Sequence, residues 1–390
     1  MGACYMKEVK GFKNSYILTE QGIIKTNLLI ENGIITKIGD FEVDGLTLLD
    51  EDKIVVPGFI DEHIHGSSGS DVIDGTIASL TNIAESLLEE GTTAFLATTT
   101  TSSKEVLEKS LANVKEYIGK KNNTGALLLG IHLEGPFISH DYLGAQHPDY
   151  VDVPLIDTFE HYNKVSGNNI LLVTLAAEVN GGVELIEYLS KHNIVASVGH
   201  SAATYDDILC AIKKGLSCVT HTYNAQKPIH HREIGTVGAA MLCDCLYSEL
   251  ICDGIHVSIP AVKLLCKNKP LDKVILITDS LRGKYLEDGV YLEPDGQKVI
   301  VKDNIAKLEN GTIAGSILKM NQAVKNIMDY AGINLVDAVR FATENPARNL
   351  GVFDKLGSIK EGKLANLLVI DKDINIYKTI RNGFILYENK

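Results

Sequence analysis

The chain has 390 residues, of which 45% are hydrophobic and 22% are charged, a composition typical of globular proteins. Its formal net charge of -13 would repel a phosphate backbone, so we expect no nucleic-acid partner. Seven cysteines, an odd number in a long chain, argue against a secreted disulfide framework, and no stretch is long and apolar enough to cross a membrane, so we expect a cytoplasmic protein.

Short β-like patterns occupy both ends of the chain. The segment TNLLIENGIITKIGD has Asn32-Gly33 at the position of a hairpin turn, and short strands with Gly and Asn-Gly turns return after Gly357. Two ends of the same style can close into one sheet. We therefore predict a small β-sandwich domain formed by residues 1–54 and 358–390.

The middle of the chain alternates short apolar runs with amphipathic helices, the arrangement of βα units around a parallel sheet. Eight such runs are present, the number that closes a (β/α)₈ TIM barrel, so the predicted fold class is α/β. The predicted strands are Ile54–Ile60, Thr93–Thr99, Leu127–Leu133, Leu171–Ala177, Ile194–Val198, Ser217–Thr220, Glu249–Cys252 and Val274–Thr278.

The predicted barrel extends over residues 55–357. Apolar residues at helical spacing between Leu107 and Ile118 predict a helix with one buried face. After the eighth strand, residues 285–312 are predicted to form an inserted β-hairpin with turns at Glu287-Asp288-Gly289 and Pro294-Asp295-Gly296, and a helix resumes near Lys319.

Polar side chains capable of chemistry follow the C-terminal ends of the predicted strands. In barrels of this kind that rim builds the active site, and chance placement would scatter such residues. They are His63 and His65 after the first strand, Glu134 after the third, His200 after the fifth, His221 after the sixth, His256 after the seventh and Asp279 after the eighth.

Several of these residues carry the donor atoms of a metal site. Alone, each histidine would more often be a structural residue than a ligand, but their joint occurrence at strand ends reverses that preference. His63 and His65 alternate along extended backbone and so share one side. Glu134 follows an apolar strand, where an unpaired carboxylate carries a large desolvation cost that a cation would relieve. Asp279 can take a proton from an activated water, so we predict it as the general base.

A cationic loop, AQKPIHHREIG, contains His230, His231 and Arg232. In an acidic protein such a cluster is either a solvated turn or the binding site of a small phosphate. The residues alone leave both interpretations open.

Several segments of the chain, in order and spacing, resemble the N-acetylglucosamine-6-phosphate deacetylases of the amidohydrolase superfamily. The resemblance covers almost the whole chain, and HLEGPF, HTYNA and HHRE together are specific to this family, whereas the H-x-H pair is shared more widely. The segments are PGFIDEHIHG (57–66), HLEGPF (132–137), GHS (199–201), HTYNAQKPIHHREIG (221–235), DGIHV (253–257), ITDS (277–280) and AGSIL (314–318), with NPARNLG and GSIKEGKLANLLVI near the C-terminus.

The resemblance implies roles for individual residues. Asp279 matches the family's acid/base group. His63 and His65 match a pair that some members lack and that is associated with a second metal bridged by Glu134. The positions that match the principal metal ligands are Glu134, His200 and His221.

Substrate contacts follow from the same resemblance. Arg232 reaches across a dimer interface in the family, which implies a homodimer with shared active sites. Where many members have Gly-Ala-His, this chain has Gly144-Ala145-Gln146-His147, so either Gln146 or His147 contacts the substrate. The matching positions are Ala145, Gln146, Asn224, Ala225, Arg232 and His256.

The activity that the resemblance implies is metal-dependent hydrolysis of the N-acetyl group of N-acetylglucosamine-6-phosphate, which gives glucosamine-6-phosphate and acetate. Zn or Fe, one or two ions per subunit, suits a site of His and carboxylate ligands. Deacetylation of N-acetylgalactosamine-6-phosphate, or hydrolysis of another amide, is the alternative, because a barrel does not fix its substrate. A non-catalytic barrel scaffold is a more remote alternative, which the intact metal-site positions oppose.

Overall fold

Eight parallel strands form the barrel at the centre of the computed structural model, which describes residues 7–120, 124–293 and 296–389. The predicted α/β barrel is confirmed. The backbone N–H of Asp279 donates to the carbonyl of His63 at 2.8 Å, which draws the end of the last strand against the end of the first. In chain order, barrel strands 1 to 8 are Phe59–Asp61, Thr92–Thr98, Leu127–Glu134, Ile170–Leu175, Val195–Val198, Cys218–Val219, Tyr247–Ile251 and Val274–Ile277.

The first predicted strand, Ile54–Ile60, is two strands in different sheets. Ile54–Pro57 pairs outside the barrel, whereas Phe59–Asp61 is barrel strand 1. The chain changes sheets at Gly58, where a Cβ would lie 2.2 Å from Oγ1 of Thr93. Both strands are buried, so the apolar run alone did not reveal the boundary.

Helices surround the barrel strands. Leu107, Leu111 and Val114 are buried along Lys104–Gly119, which confirms the predicted helix face. Within the described residues, no helix combines the length and apolar character needed to cross a bilayer. The α-helices are Ile77–Ser86, Lys104–Gly119, Ile156–Val165, Gly182–Lys191, Tyr205–Lys213, Gly235–Leu242, Ile259–Asn268, Met320–Ala331, Leu335–Phe341 and Glu344–Asn349, and the 3₁₀ turns are Val72–Asp74, Leu87–Glu90, His140–Tyr142, Pro148–Tyr150 and Leu271–Lys273.

Among the described residues, the N-terminal and C-terminal segments enter one sheet of nine strands, so the predicted joining of the ends is confirmed. Ile54–Pro57 links them, because it pairs with Leu367–Ile370 on one side and with Gly11–Thr19 on the other. The predicted domain boundaries stay a prediction. The strands are Lys7–Glu8, Gly11–Thr19, Gly22–Glu31, Ile34–Gly39, Thr47–Leu48, Ile54–Pro57, Leu367–Ile370, Ile376–Arg381 and Phe384–Glu388.

The described part of the insertion after barrel strand 8 contains three antiparallel strands where a hairpin was predicted. They are Gly289–Leu292, Lys298–Lys302 and Ile305–Leu308. The additional turn is Asp303-Asn304, whose φ angles of 50° and 63° suit a tight hairpin connection. Of the turn predicted at Pro294-Asp295-Gly296, the first two residues lie outside the described residues. A further pair, Gly66–Ser67 and Ser70–Asp71, forms a small hairpin behind barrel strand 1.

Replacing Leu368 by alanine should destabilise the contact between the end sheet and the barrel. Leu368 is fully buried, pairs with Val56 and belongs to the core cluster that includes Phe59. We expect the cavity to lower the free energy of unfolding by about 2–5 kcal/mol, measured by urea denaturation. Leu48→Ala is the matched control, because Leu48 is 69% exposed. Equal shifts in the two variants would contradict this packing.

Candidate active site

The predicted histidines and carboxylates converge at the C-terminal rim of the barrel. They surround a cavity of about 330 Å³, and His63 lies buried beside it. The shared edge of parallel strands thus brings together residues that are distant in the sequence. The cavity is lined by His65, Glu134, His200, His221, His256 and Asp279.

Glu134, His200 and His221 direct three donor atoms at one another. Glu134, the last residue of barrel strand 3, is 1% exposed. Its Oε1 lies 3.1 Å from Nε2 of His221 and 3.3 Å from Nε2 of His200, and the two nitrogens are 3.1 Å apart. His200 Nδ1 lies 3.0 Å from the carbonyl of Tyr142, which only accepts, so a neutral His200 directs its Nε2 lone pair at Glu134. A cation would reconcile these facing lone pairs.

A second set, His63, His65 and Asp279, shares the same glutamate. His65 Nε2 lies 3.1 Å from Oε2 of Glu134 and 3.2 Å from Oδ1 of Asp279. His63 Nε2 lies 3.5 Å from Oε1 of Glu134 and from Oδ1 of Asp279. Within each set the donor atoms lie within 4.8 Å of one another. The two oxygens of Glu134 therefore face both sets.

A divalent cation fits these donors on electrostatic grounds. Burial lowers the pKa of His63, but Asp279, Glu134 and Glu249 outweigh it and raise that pKa well above its ordinary value. Burial likewise opposes the charged form of His65, yet Asp279 and Glu134 raise its pKa to about 10. The centre therefore requires positive charge, carried either by protons or by a metal ion.

Three of the predicted site residues have unusual backbone conformations. His200, His221 and Asp279 have φ angles of 49°, 29° and 49°, in the left-handed region that residues other than glycine rarely adopt. Each such residue costs about 1–3 kcal/mol and persists only where its surroundings fix it. The N–H of His221 donates to Oε2 of Glu249 at 3.1 Å, which is one such restraint. Strain of this kind is concentrated at functional sites.

Thr100, which was not predicted as a site residue, and Gln146, which was predicted as a substrate contact, orient side chains of the two donor sets. Thr100 Oγ1 lies 3.1 Å from Nδ1 of His65. Gln146 donates from Nε2 to Oε2 of Glu134 at 2.9 Å, and its Oε1 accepts from the N–H of Thr101 at 2.7 Å. Partners of this kind fix the ring orientation and the carboxylate of a metal site.

Glu249 is a site residue that sequence reasoning missed. It lies on barrel strand 7, fully buried, with Oε2 3.0 Å from Nδ1 of His63. The signal that singled out Glu134, a carboxylate in an apolar strand, was present at Glu249 as well.

The predicted substrate-binding residues divide between the cavity and the exterior. Arg232 lies in the exposed loop, where its Nη1 is 2.7 Å from Nε2 of His231, and it does not line this cavity of the described chain. Those that line the cavity are Ala145, Gln146, Asn224, Ala225 and His256.

Gln146, and not His147, faces the cavity. His147 accepts a hydrogen bond from the N–H of Asp149 at 3.3 Å, and its ring centroid is 4.6 Å from that of Tyr150. Gly144 explains the close approach of this loop, because a Cβ there would lie 3.3 Å from Cε1 of His200.

The inserted sheet supplies part of the cavity wall, which the sequence did not predict. Arg282, close to the end of barrel strand 8, donates from Nε to Oε2 of Glu293 at 2.9 Å and so ties the insertion to the barrel. The insertion residues that line the cavity include Glu293, Gln297, Val299 and Leu308.

The known proteins to which this chain is similar include sugar-phosphate deacetylases. The amidohydrolase family model matches residues 54–386. The chain is 38% identical to the N-acetylglucosamine-6-phosphate deacetylase of Bacillus subtilis (strain 168), over 96% of this chain and 98% of that protein. It is 32% identical to the N-acetylgalactosamine-6-phosphate deacetylase of Escherichia coli O157:H7, over 92% and 94%. A mutant N-acetyl-D-glucosamine-6-phosphate deacetylase from Mycobacterium smegmatis, solved in complex with N-acetyl-D-glucosamine-6-phosphate, is similar with a TM-score of 0.91 and 27% identity, over 97% of this chain and all (100%) of that chain.

A divalent cation should compete with protons at this centre. Because the pKa of His65 is about 10 without a cation, His65 holds a proton at neutral pH. As the pH rises, fewer protons compete with the metal ion for the His65 nitrogen. We expect the affinity for Zn²⁺ to rise with pH, by about tenfold per unit for each displaced proton. Calorimetry in buffers of different ionisation enthalpy counts the protons released, and His65→Asn should release fewer. Affinity that does not change with pH would contradict this.

Proposed function

Because the chain belongs to the amidohydrolase family, and within it to the N-acetylglucosamine-6-phosphate deacetylases, we propose that its barrel site hydrolyses the acetamide of N-acetylglucosamine-6-phosphate. The products are glucosamine-6-phosphate and acetate. The observation that carries this proposal is the convergence of Glu134, His200, His221 and Asp279 around one cavity. The enzyme is a metal-dependent amide hydrolase of amino-sugar metabolism.

The two donor sets are the proposed metal positions. Glu134, His200 and His221 would hold the first ion, and His63 and His65, together with Glu134, would hold a second. Nitrogen and carboxylate donors suit Zn²⁺ or Fe²⁺, one or two per subunit. When bound, such an ion supplies Lewis acidity that polarises the acetamide carbonyl and lowers the pKa of water.

Asp279 is the proposed general base and acid. Its pKa is held below the ordinary value because the imidazoles of His63 and His65 outweigh the effect of burial, so it is ionised at neutral pH and able to accept a proton. It takes the proton from the water that attacks the carbonyl carbon. It then gives that proton to the sugar nitrogen as the C–N bond breaks, since an unprotonated amine is a poor leaving group.

The remaining cavity residues would hold the sugar phosphate. His256 Nδ1 lies 2.7 Å from Oδ2 of Asp253, and this contact raises the pKa of His256 against the effect of burial, which favours an imidazolium beside an anionic substrate. Gln146, already bonded to Glu134, lies beside the proposed metal position. Ala145, Asn224 and Ala225 complete the proposed substrate contacts.

A homodimer would give Arg232 its function. The side chain of Arg232 is exposed and does not line the cavity of its own subunit. A phosphate bound to an acidic protein needs local positive charge. We propose that Arg232 enters the active site of the partner subunit and binds the phosphate there.

Cytoplasmic location is proposed from the thiols and the substrate. The six described cysteines are all free, as expected in a reducing compartment.

Deacetylation of N-acetylgalactosamine-6-phosphate is the second candidate activity, supported by the similarity to the Escherichia coli enzyme.

Acetate release from three substrates tests the proposed function. We expect N-acetylglucosamine-6-phosphate to be preferred over its galacto epimer and over unphosphorylated N-acetylglucosamine, with activity lost on chelation and restored by Zn²⁺ or Fe²⁺. Preference for the galacto epimer would favour the second candidate activity. No release from any substrate would reject both.

Asp279→Asn should reduce kcat by about a thousandfold or more, because the amide neither takes nor gives the proton. Bound metal, counted by mass spectrometry, should remain at the position formed by Glu134, His200 and His221. His147→Ala is the control, since His147 lies outside the cavity. Substantial residual turnover in Asp279→Asn would exclude it as the base.

Arg232→Ala should raise KM for the phosphorylated substrate by about tenfold to a hundredfold, the loss of a charge-assisted contact of about 1.5–3 kcal/mol. Turnover of the unphosphorylated sugar should not change. Arg348→Ala is the control. The Nη2 of Arg348 lies 2.7 Å from Oε1 of Glu344, and neither residue lines the cavity. If both substrates respond equally to Arg232→Ala, phosphate binding by this residue is wrong.

A further inference from the structure

Glu249 contacts one residue of each donor set through hydrogen bonds. Its Oε2 lies 3.0 Å from Nδ1 of His63 and 3.1 Å from the backbone N–H of His221. One carboxylate oxygen therefore restrains residues that follow barrel strands 1 and 6. Glu249 itself does not line the cavity and makes no contact there that would let it touch substrate.

The hydrogen bond to Glu249 determines which nitrogen of His63 is free. A carboxylate oxygen only accepts, so the Nδ1 of His63 donates and a neutral ring keeps its lone pair on Nε2. That Nε2 is buried, has no hydrogen-bond partner within the described parts of the chain, and lies 3.5 Å from both Glu134 and Asp279. It is placed as a metal ligand would be.

A second cluster of donor atoms, which could compete for the His63 ring, lies on the other side of that ring. His63, His132 and Glu249 also place donor atoms within 4.8 Å of one another, and the rings of His63 and His132 are 4.5 Å apart. The Nε2 of His132 is hydrogen-bonded to Oγ1 of Thr174 at 2.7 Å. Holding Nδ1 of His63 on Glu249 therefore keeps Nε2 directed at the rim and away from this deeper cluster.

We propose that Glu249 is a positioning residue that determines whether the second metal position, formed by His63, His65 and Glu134, is filled. This inference rests on the proposed function for the identity of the site. Glu249 acts through His63 by fixing its tautomer and ring orientation, as carboxylates commonly do for histidine ligands.

Two variants at position 249 separate hydrogen bonding from charge. Glu249→Leu keeps the volume but removes the acceptor. Glu249→Gln can keep an oxygen at the Oε2 position and place its NH₂ where Oε1 now lies without a hydrogen-bond partner among the described residues. The carboxyl group of Glu62 lies close to that of Glu249. Glu62→Gln is the matched control, because Glu62 is equally buried but bonds to Asn349 at 2.9 Å.

Metal titration is the test, with Zn²⁺ counted by mass spectrometry and Co²⁺ followed by its visible absorption. We expect Glu249→Leu to bind the first equivalent within about threefold of the parent and the second about 10–100-fold more weakly. Glu249→Gln and Glu62→Gln should bind both nearly as the parent does. Two equivalents bound by Glu249→Leu with parental affinity, or a parent that takes only one, would overturn the inference.

Nitrogen-15 NMR of the histidine side chains keeps the inference testable if Glu249→Leu does not fold. In the zinc-loaded parent, the His63 signals, assigned by their loss in His63→Asn, should show a protonated Nδ1. Protonation at Nε2 would overturn the inference. Acetate release by the parent is measured separately, so a protein that shows the metal effect but no hydrolysis rejects the function alone.

Discussion

The site depends on a buried carboxylate. Glu134 is 1% exposed at the end of an apolar barrel strand, where an uncompensated charge would cost several kcal/mol. Its oxygens are met by four imidazoles and by the amide of Gln146. The imidazoles of His63, His200 and His221 hold the pKa of Glu134 well below the ordinary value, although burial alone would raise it. The surrounding groups therefore keep Glu134 ionised and ready for a cation. The other features of the site follow from satisfying this one charge.

Barrel closure makes that arrangement possible. His63, Glu134 and His221 are far apart in the chain, yet their strands end at one rim. The 2.8 Å hydrogen bond from the N–H of Asp279 to the carbonyl of His63 joins the two edges of the barrel sheet at this rim. The end sheet and the three-stranded insertion add stability and a cavity wall, but the donor geometry belongs to the barrel itself.

The sequence was informative where chemistry follows a one-dimensional pattern. Eight apolar runs with polar residues after them predicted the barrel and placed His63, His65, Glu134, His200, His221 and Asp279 at its rim, because strand ends are local features. Contacts between distant segments could not be predicted in this way. Thr100 on His65 and the carbonyl of Tyr142 on His200 depend on loop conformation.

Other differences have similar physical causes. The split at Gly58 was hidden because strands in two different sheets can both be apolar. The insertion gained a third strand through Asp303-Asn304, a turn without glycine that is a weaker sequence signal than Asn-Gly. Arg232 was chosen by resemblance, and its place in a partner's site depends on an assembly that one chain does not display.

Anomalous diffraction from crystals of the zinc-loaded protein, recorded on both sides of the zinc absorption edge, tests the central claim most directly. A peak about 2.0–2.2 Å from Glu134 Oε1 and from Nε2 of His200 and of His221 is the predicted result. No peak at the barrel rim, or one confined to the exposed His230 and His231, would contradict the claim that this buried carboxylate is the centre of a metal site.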